Sequence, residues 1–442
     1  MPQPIFPSGH KFPQPLFYQG VNICRNGSQI TTKLSPFLGM FSPNNGVNLE
    51  RIIQLYPIKS CANLNEMYYN MALNYLYARQ KRNVTNKIAE KVKELFIKDS
   101  LLTIEYQSIN NGKWNHFMSQ PHIGYTSWND PPKNIMPQVY YIKNDDEPKP
   151  GICLEYQEDY WPENKIIPQL PEFDNYNNQS YYIEIFNQGE VPFKYKIYTN
   201  DDFIRLSEKE NTISEQNKIY VSIDWDNAPS GKYNSELDIS IDDKVLKIIL
   251  PINKFIIPDN FKGFVESNGY VSIEASNFNN AFNSENISWI TIPEIGRTGN
   301  GITLFPVTIR NINNENKLPR VEYNIYFKDT GKFKVYFYLS PTLNYYNTPK
   351  GLCFSAWIND EKPSVICMHE NDIGLDWKYP LWWNNAVSNN IRIYEIMINV
   401  KKAGINKLNV GGIDGGIVIQ KIVIDTGNLK NSYSGPSECI KY

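Results

Sequence analysis

The sequence has no excess of either charge. Its 44 Lys and Arg stand against 46 Asp and Glu, a formal net charge of −2. No long-range field draws such a chain to nucleic acid or to an anionic membrane, so neither is an expected partner. It contains no apolar run of eighteen residues, the length at which a segment becomes a candidate to cross a bilayer. The start, Met1-Pro2-Gln3-Pro4-Ile5-Phe6-Pro7, lacks the basic residues and apolar stretch of a secretory leader. Cys24, Cys61, Cys153, Cys353, Cys367 and Cys439 show no C-x-x-C spacing, which removes the zinc and thioredoxin signatures and reads most of them as buried thiols. A nucleophile elbow, a P-loop and a dinucleotide-binding glycine fingerprint are also missing, and only four His are available as bases or ligands.

What the chain has is length and aromatic side chains. At 442 residues it exceeds a single core and implies roughly two to four domains. Its 30 Tyr, 21 Phe and 9 Trp favour half-buried pleated surfaces. Residues 1–50 carry no sustained period of 2 or 3.6 and read as irregular. From Leu64 the apolar residues Leu64, Met67, Tyr68, Met71, Ala72, Tyr75 and Leu76 recur at helical spacing, with Asn63 as the expected N-cap and Glu66 completing a capping box. A second helix is predicted from near Thr85, with Ile88, Val92 and Leu95 on one face. Two helices of this size bury too little to stand alone and must pack on something larger.

Prolines dominate 131–171, which reads as a traversing linker. Beyond it, strand-like runs at 181–186, 193–198, 218–225, 236–241 and 245–250, with the turn Pro229-Ser230-Gly231, suit an immunoglobulin-like sandwich. Eight further runs, at 270–274, 302–309, 321–327, 333–339, 353–358, 391–400, 406–410 and 417–424, predict a jelly-roll sandwich. The expected class is mainly β with a short N-terminal helical segment. The expected divisions are 1–50 irregular, 51–140 a partial helical domain, 141–170 a linker, 171–257 an immunoglobulin-like sandwich, and 258–442 a galactose-binding-like jelly roll.

Glycoside hydrolysis needs two carboxyl groups about 5 to 9 Å apart across one bond. No segment reads as a barrel to carry them, and acidic runs such as Asn144-Asp145-Asp146-Glu147 read as solvated loops, so no acid and base are assigned. His116 and His122 flank Pro121 without the i, i+4 spacing of a helical zinc pair. Local hydrogen bonding is expected of them instead, holding Trp114, Tyr125 and Trp128. With no charged catalytic group among these five residues, an interdomain lock is favoured over a site. Trp377, Trp382 and Trp383 fall on a predicted loop at one end of the last sandwich, where stacking on a sugar and docking on another domain account for them equally. Tyr345, beside Tyr346, is a weaker candidate of the same kind. Sequons at Asn26, Asn83, Asn178 and Asn286 permit secretion without requiring it.

Three stretches carry a specific resemblance. The first is Tyr56-Pro57-Ile58-Lys59-Ser60-Cys61-Ala62-Asn63-Leu64-Asn65-Glu66-Met67-Tyr68, followed by Leu76-Tyr77-Ala78-Arg79-Gln80, Gly112-Lys113-Trp114-Asn115-His116 and His122-Ile123-Gly124-Tyr125-Thr126. The second is Gly263-Phe264-Val265-Glu266-Ser267-Asn268-Gly269-Tyr270, with Ile295-Gly296-Arg297-Thr298-Gly299. The third is Leu339-Ser340-Pro341-Thr342, Ser388-Asn389-Asn390-Ile391-Arg392 and Gln420-Lys421-Ile422-Val423-Ile424-Asp425-Thr426-Gly427. Together, over about residues 51 to 440, they resemble glycoside hydrolase family 115, the α-glucuronidases that remove glucuronic acid or its 4-O-methyl ether from xylan.

That resemblance implies the end of the family's helical domain and its C-terminal domain. The family's catalytic carboxylates lie in a barrel before the helices, which this sequence does not display, so no catalytic residue is carried over. The expected function is an accessory region of a xylan α-glucuronidase, inactive by itself, from a truncated product or an incomplete gene. The alternative is a non-catalytic carbohydrate-binding module acting on plant cell-wall xylan. Glucuronoxylan is the implied partner, a homodimer the implied assembly, and the extracellular space the implied location, with no cofactor. Ile273-Glu274-Ala275 and the strand ending at Asp425 are also similar to carbohydrate-binding modules of families 6 and 35, where acidic groups hold a structural calcium. Glu274 and Asp425 are the candidate ligands on that likeness, and Ser276, standing where a second Glu is usual, weakens a hard-cation site.

Overall fold

The computed structural model describes residues 55–441 apart from 127–128, 156, 178, 285, 313–317, 371, 373–381 and 431. The irregular segment expected at 1–50, and the candidates Trp128 and Trp377, lie outside the described residues. Two compact units emerge. One takes in Ser180–Ser222, Ser235–Ile249 and the described residues up to Leu170; the other takes in Pro171–Gln179, Ile223–Asn234 and the described residues from Leu250.

The first unit opens with a helical hairpin, α1 (Tyr56–Arg79) and α2 (Thr85–Gly112). Met67, Met71, Val92 and Leu95 form its buried seam, joined by Ile123 from the following loop. The predicted N-cap is corrected: α1 begins at Tyr56, with Pro57 in the first turn, where its fixed φ and missing N–H cost nothing. Asn63 therefore lies within the helix, buried, and its Nδ2 donates to the Leu95 carbonyl at 2.9 Å. A polar residue followed by Glu three positions on resembles a cap, but here the polar side chain is aimed at the neighbouring helix. At its far end α2 leaves helical geometry at Ile109, Asn110 and Asn111.

Nine strands follow: β1 (Pro150–Leu154), β2 (Phe173–Asp174), β3 (Ser180–Asn187), β4 (Phe193–Tyr198), β5 (Ile204–Leu206), β6 (Glu210–Ile213), β7 (Gln216–Ile223), β8 (Gly231–Ile241) and β9 (Lys244–Lys254). They make a four-stranded sheet ordered β1-β3-β7-β5 and a five-stranded sheet ordered β2-β9-β8-β4-β6. Alternation along β4 buries Phe193, Tyr195 and Ile197 and leaves the lysines and tyrosine between them exposed. The chain at 150–154, read as part of a linker, is β1. Ile152, Cys153 and Leu154 are buried and pair with Ile185, Glu184 and Ile183. The prolines flank this short apolar run rather than interrupt its ladder.

The remaining elements are β10 (Gly263–Val265), β11 (Tyr270–Glu274), β12 (Asn280–Phe282), β13 (Ser288–Ile292), β14 (Gly301–Phe305), β15 (Arg320–Phe327), β16 (Gly331–Leu339), β17 (Cys353–Ile358), β18 (Ser364–Cys367), the short helix α3 (Trp383–Asn389), β19 (Arg392–Val400), β20 (Gly404–Gly412), β21 (Ile419–Asp425) and β22 (Ile440–Lys441). One sheet runs β18-β17-β20-β15-β10-β22 with β12 on β15, the other β13-β14-β21-β16-β19 with β11 on β21. Their inner faces share one apolar core that includes Phe264, Ile273, Ile302, Tyr323, Phe337, Phe354, Val410 and Ile422. The Phe337 and Phe354 rings meet edge to face, centroids 5.2 Å apart. Tyr323, fully buried, satisfies its hydroxyl on the Ala275 carbonyl at 2.7 Å. The predicted jelly-roll sandwich is therefore present. Gly404 starts β20 with φ +97, a conformation that the turn at Ala403-Gly404 requires of glycine.

The cysteine reading is corrected in part. Cys353 and Cys367 face each other across β17 and β18 and are joined as a disulfide. Spacing in the sequence cannot reveal this, because the strand register that sets the two side by side is a property of the sheet. Cys153 and Cys439 are buried free thiols, and Cys61 is an exposed one.

Candidate functional site

Trp382 and Trp383, two of the three tryptophans proposed at the sandwich end, lie beside a polar corner. Trp382 precedes α3, and the Arg392 guanidinium lies 3.9 Å from its ring centroid. Arg392 in turn grips Asp372 with two hydrogen bonds of 3.0 Å each. The Tyr394 hydroxyl donates to the Met368 carbonyl at 2.7 Å, and burial raises its pKa above the ordinary phenol value. One face of Trp382 is thus taken by a cation, and its buried indole N–H has no acceptor among the described residues. The Trp382 and Trp383 rings are tilted at 58°, not coplanar.

Tyr345 is half exposed, yet its hydroxyl is engaged, donating to the Gly415 carbonyl at 2.8 Å; burial pushes its pKa up to about 12. Tyr345 bonds to Gly415 and packs on Tyr346, whereas Trp382 lies against Arg392 and Trp383.

The loop candidates of the helical segment find their partners close by. His122 Nδ1 lies 3.1 Å from an oxygen of Asp99, which is buried on α2, and its Nε2 lies 3.4 Å from the Tyr56 hydroxyl. The Asp99 hydrogen bond is the chief reason the His122 pKa is raised, against the opposing effect of burial. Trp114 packs beside Tyr56, Leu102 and Tyr106, Tyr125 donates to Asp130 at 2.7 Å, and His116 is exposed with φ 66.

The residues that tie the hairpin to the four-stranded sheet were missed by sequence reasoning. They are Gln80, Arg82 and Asn83, in the tight polar turn between α1 and α2. Arg82 is fully buried. It donates to Gln80 at 2.7 Å, Gln216 at 2.8 Å and Glu184 at 2.7 Å, and to the Cys153 sulfur at 3.2 Å. The rings of Phe186 and Tyr77 cover it at 4.1 and 4.3 Å. Burial works to raise the Glu184 carboxyl, and Arg82 with Lys218 overrides it, holding that pKa below the usual carboxylate range. Burial pushes the Cys153 thiol up to about 12, so it is no nucleophile. Asn83 Nδ2 donates to the carbonyls of Gly189 at 2.8 Å and Ser214 at 2.7 Å.

The calcium candidates fail a test of fit. Glu274 pairs with Lys421, and Asp425 pairs with Tyr270 at the other end of the same ladder, so their side chains do not converge. Lys421, only 3% exposed, places its ammonium 3.0 Å from Glu274 Oε1 and donates to the carbonyls of Ser434 at 3.1 Å and Pro436 at 3.0 Å. A fixed internal cation stands against the carboxylate that a divalent ion would use. Asp425 accepts from the backbone of Gly427 at 2.9 Å and of Leu429 at 3.3 Å. Among the described residues no group of three His, Cys, Asp or Glu is arranged to hold a metal.

A free acid and base would have to come from carboxylates that the fold leaves unengaged. The six buried ones among the described residues, Asp99, Asp174, Glu184, Glu266, Glu322 and Asp414, all have donors. His122 serves Asp99; Gln179 and two backbone amides serve Asp174. Arg82 serves Glu184; Thr426 and the Lys328 amide serve Glu266. Lys407 and Asn280 serve Glu322; the amides of Asn311 and Cys353 serve Asp414. These are structural carboxylates.

Comparison with known proteins places the last sandwich. The family model described as Glycosyl hydrolase family 115 C-terminal domain matches residues 263–438. No curated protein matches the chain. Among solved structures, the chain is similar to a family 115 4-O-methyl-α-glucuronidase, BtGH115A, with specificity for decorated arabinogalactans, at 11% identity and a TM-score of 0.45, over 93% of this chain and 34% of that one. It thus spans about a third of that enzyme's length. It is also similar to the C-terminal family 6 carbohydrate-binding module of LamC from Zobellia galactanivorans, at 18% identity and TM-score 0.23, over 35% of this chain and 98% of that one. A family 35 module from Clostridium thermocellum matches at 13% identity and TM-score 0.23, over 36% of this chain and 98% of that one. The sandwich at residues 263–438 is thus similar to the C-terminal domain of glycosyl hydrolase family 115.

Proposed function

We propose that the chain is an accessory region of a xylan α-glucuronidase, holding glucuronoxylan without cleaving it. The observation that carries this reading is the family 115 domain at 263–438. The strand pairings support it: among the pairs whose register is described, β2 with β9 and β10 with β15 run parallel and the others antiparallel, whereas a (β/α)8 barrel needs eight parallel strands. The saturated buried carboxylates point the same way. We take 51–140 as the partial helical domain, 171–257 as the immunoglobulin-like sandwich and 258–442 as the C-terminal domain of this region. Trp382, Trp383 and Tyr345 remain candidate contacts to the polymer, and the 112–128 loop a candidate contact to a neighbouring domain. An extracellular location and a homodimer complete the reading; the Cys353–Cys367 disulfide supports the former, since such bonds persist in oxidising compartments.

The test incubates purified chain with glucuronoxylan. No glucuronic acid is released, while the protein is retained by the immobilised polymer. Catalytic release of the sugar acid by this polypeptide would sink the proposal.

A further inference from the structure

We propose that the outer face of the seven-stranded sheet in the C-terminal sandwich is a binding platform for a uronate-bearing sugar chain, with Trp357 receiving the pyranose and Arg320 its carboxylate. This deepens the polysaccharide reading above and rests on it.

Two cross-strand rows build the platform. Asn280, Glu322, Asn409 and Trp357 are successive partners across β12, β15, β20 and β17, and Phe282, Arg320, Gly411 and Ser355 form the row beside them. Residues two apart on a strand share a face, so both rows lie on the face opposite Val321, Val410 and Ala356, which fill the core; on that face Glu322, Asn409, Gly411 and Ser355 are buried, Trp357 and Arg320 partly exposed, and Asn280 and Phe282 exposed. The indole of Trp357 does not stand off the sheet. A Cβ placed on Gly411 would lie 2.9 Å from the far ring of Trp357 and 2.7 Å from Ser355 Oγ, so the glycine leaves room for the ring to lie across β20. Trp357 stays half-buried.

The polar groups around it sort by whether they are engaged. Glu322 is neutralised by Lys407 at 3.1 Å and held by Asn280 at 3.0 Å. The Arg320 guanidinium, next to Gly411 in its row, lies over Phe282 at 4.1 Å and has no carboxylate partner among the described residues. Phe282 itself is 40% exposed and is about two strand spacings, roughly 10 Å, from Gly411. What the face offers a ligand is therefore two aromatic rings and a guanidinium with no carboxylate partner among the described residues, while Glu322 is already quenched. A neutral glycan would use the rings and leave the guanidinium idle; a hexuronic acid uses both, since a planar fork suits a carboxylate.

The experiment is affinity electrophoresis of the full chain in native gels containing glucuronoxylan, or the same xylan with its carboxylates reduced to alcohols. Wild type is retarded more by the acidic polymer. Trp357→Ala weakens binding to both by about tenfold. Arg320→Gln, a surface change with little bearing on folding, weakens binding to the acidic polymer about five- to tenfold and leaves the reduced polymer unchanged. If wild type is retarded and neither variant alters it, this platform is wrong while the polysaccharide reading stands, and loss of retardation in Trp382→Ala then moves the contact to the α3 corner. If both variants change sedimentation instead of retardation, the face joins two copies of the chain and the platform is overturned. If wild type is retarded by neither polymer, the platform and the reading beneath it fall together.

Discussion

Among the described residues each unit buries one Lys or Arg, and the two are solvated in different ways. Arg82 places four hydrogen bonds on a carboxylate, two side-chain amides and a thiol, and has aromatic rings on both sides. Lys421 places its three N–H groups on one carboxylate and two backbone carbonyls. The planar fork gathers partners from the helix turn, β1, β3 and β7 at once, so it acts as a rivet between layers. The compact ammonium gathers the end of β11 and the strand-free segment before β22, so it acts as a tether for one chain end. Removing a rivet should unfold more than removing a tether.

The largest expected effect is Arg82→Met, which leaves Glu184 charged and buried with only the more distant Lys218 ammonium, 3.9 Å away, to balance it. A loss of about 3 to 5 kcal/mol is expected in urea unfolding of the first unit, with recovery of part of it when Glu184→Gln is added. A single variant as stable as wild type would dissolve the comparison. Next is Lys421→Met, expected to cost about 2 kcal/mol, because Glu274 can turn to water while two carbonyls lose their donor. The same tether predicts that neither chelator nor millimolar calcium moves the melting temperature of wild type; a rise with calcium would mean that the ammonium does not hold the place of a metal. The smallest effect belongs to His122, a cation that can lose its charge. Its folded pKa is raised above the unfolded value, so its stabilisation is complete below about pH 6.5 and fades as pH climbs through the folded value. His122 is partly open to solvent, so the change should stay below about 1 kcal/mol, and His122→Gln should flatten it in a pH series of thermal melts.

Strands whose two faces differ were legible in the sequence. Phe193–Tyr198, Tyr270–Glu274 and Cys353–Ile358 match their predicted bounds because alternation or an unbroken apolar run marks them. The short strands β2, β6, β12 and β18 were not legible, since two to four residues hold no period and their pairing is supplied by a longer neighbour. The same limit hid the functional chemistry. Arg82 reads as a solvated turn residue until the sheet closes over it, and Trp357 reads as one more aromatic in a strand until the register sets it beside Gly411 and Arg320. Trp382 stood out for the opposite reason: it had no predicted strand to explain it, and its ring lies against Arg392.

Asn83 opens the sequon Asn83-Val84-Thr85, the attachment signal for an N-linked glycan. Both amide hydrogens of its side chain already serve the Gly189 and Ser214 carbonyls, and the Thr85 hydroxyl serves Arg82. An oligosaccharide there would remove one of those hydrogens and wedge its bulk into the seam between turn and sheet. In a eukaryotic secretory host the choice at this position is thus between modification and folding, and a producer would do well to abolish the signal at Thr85 with a substitution that keeps the turn, or to avoid such hosts altogether.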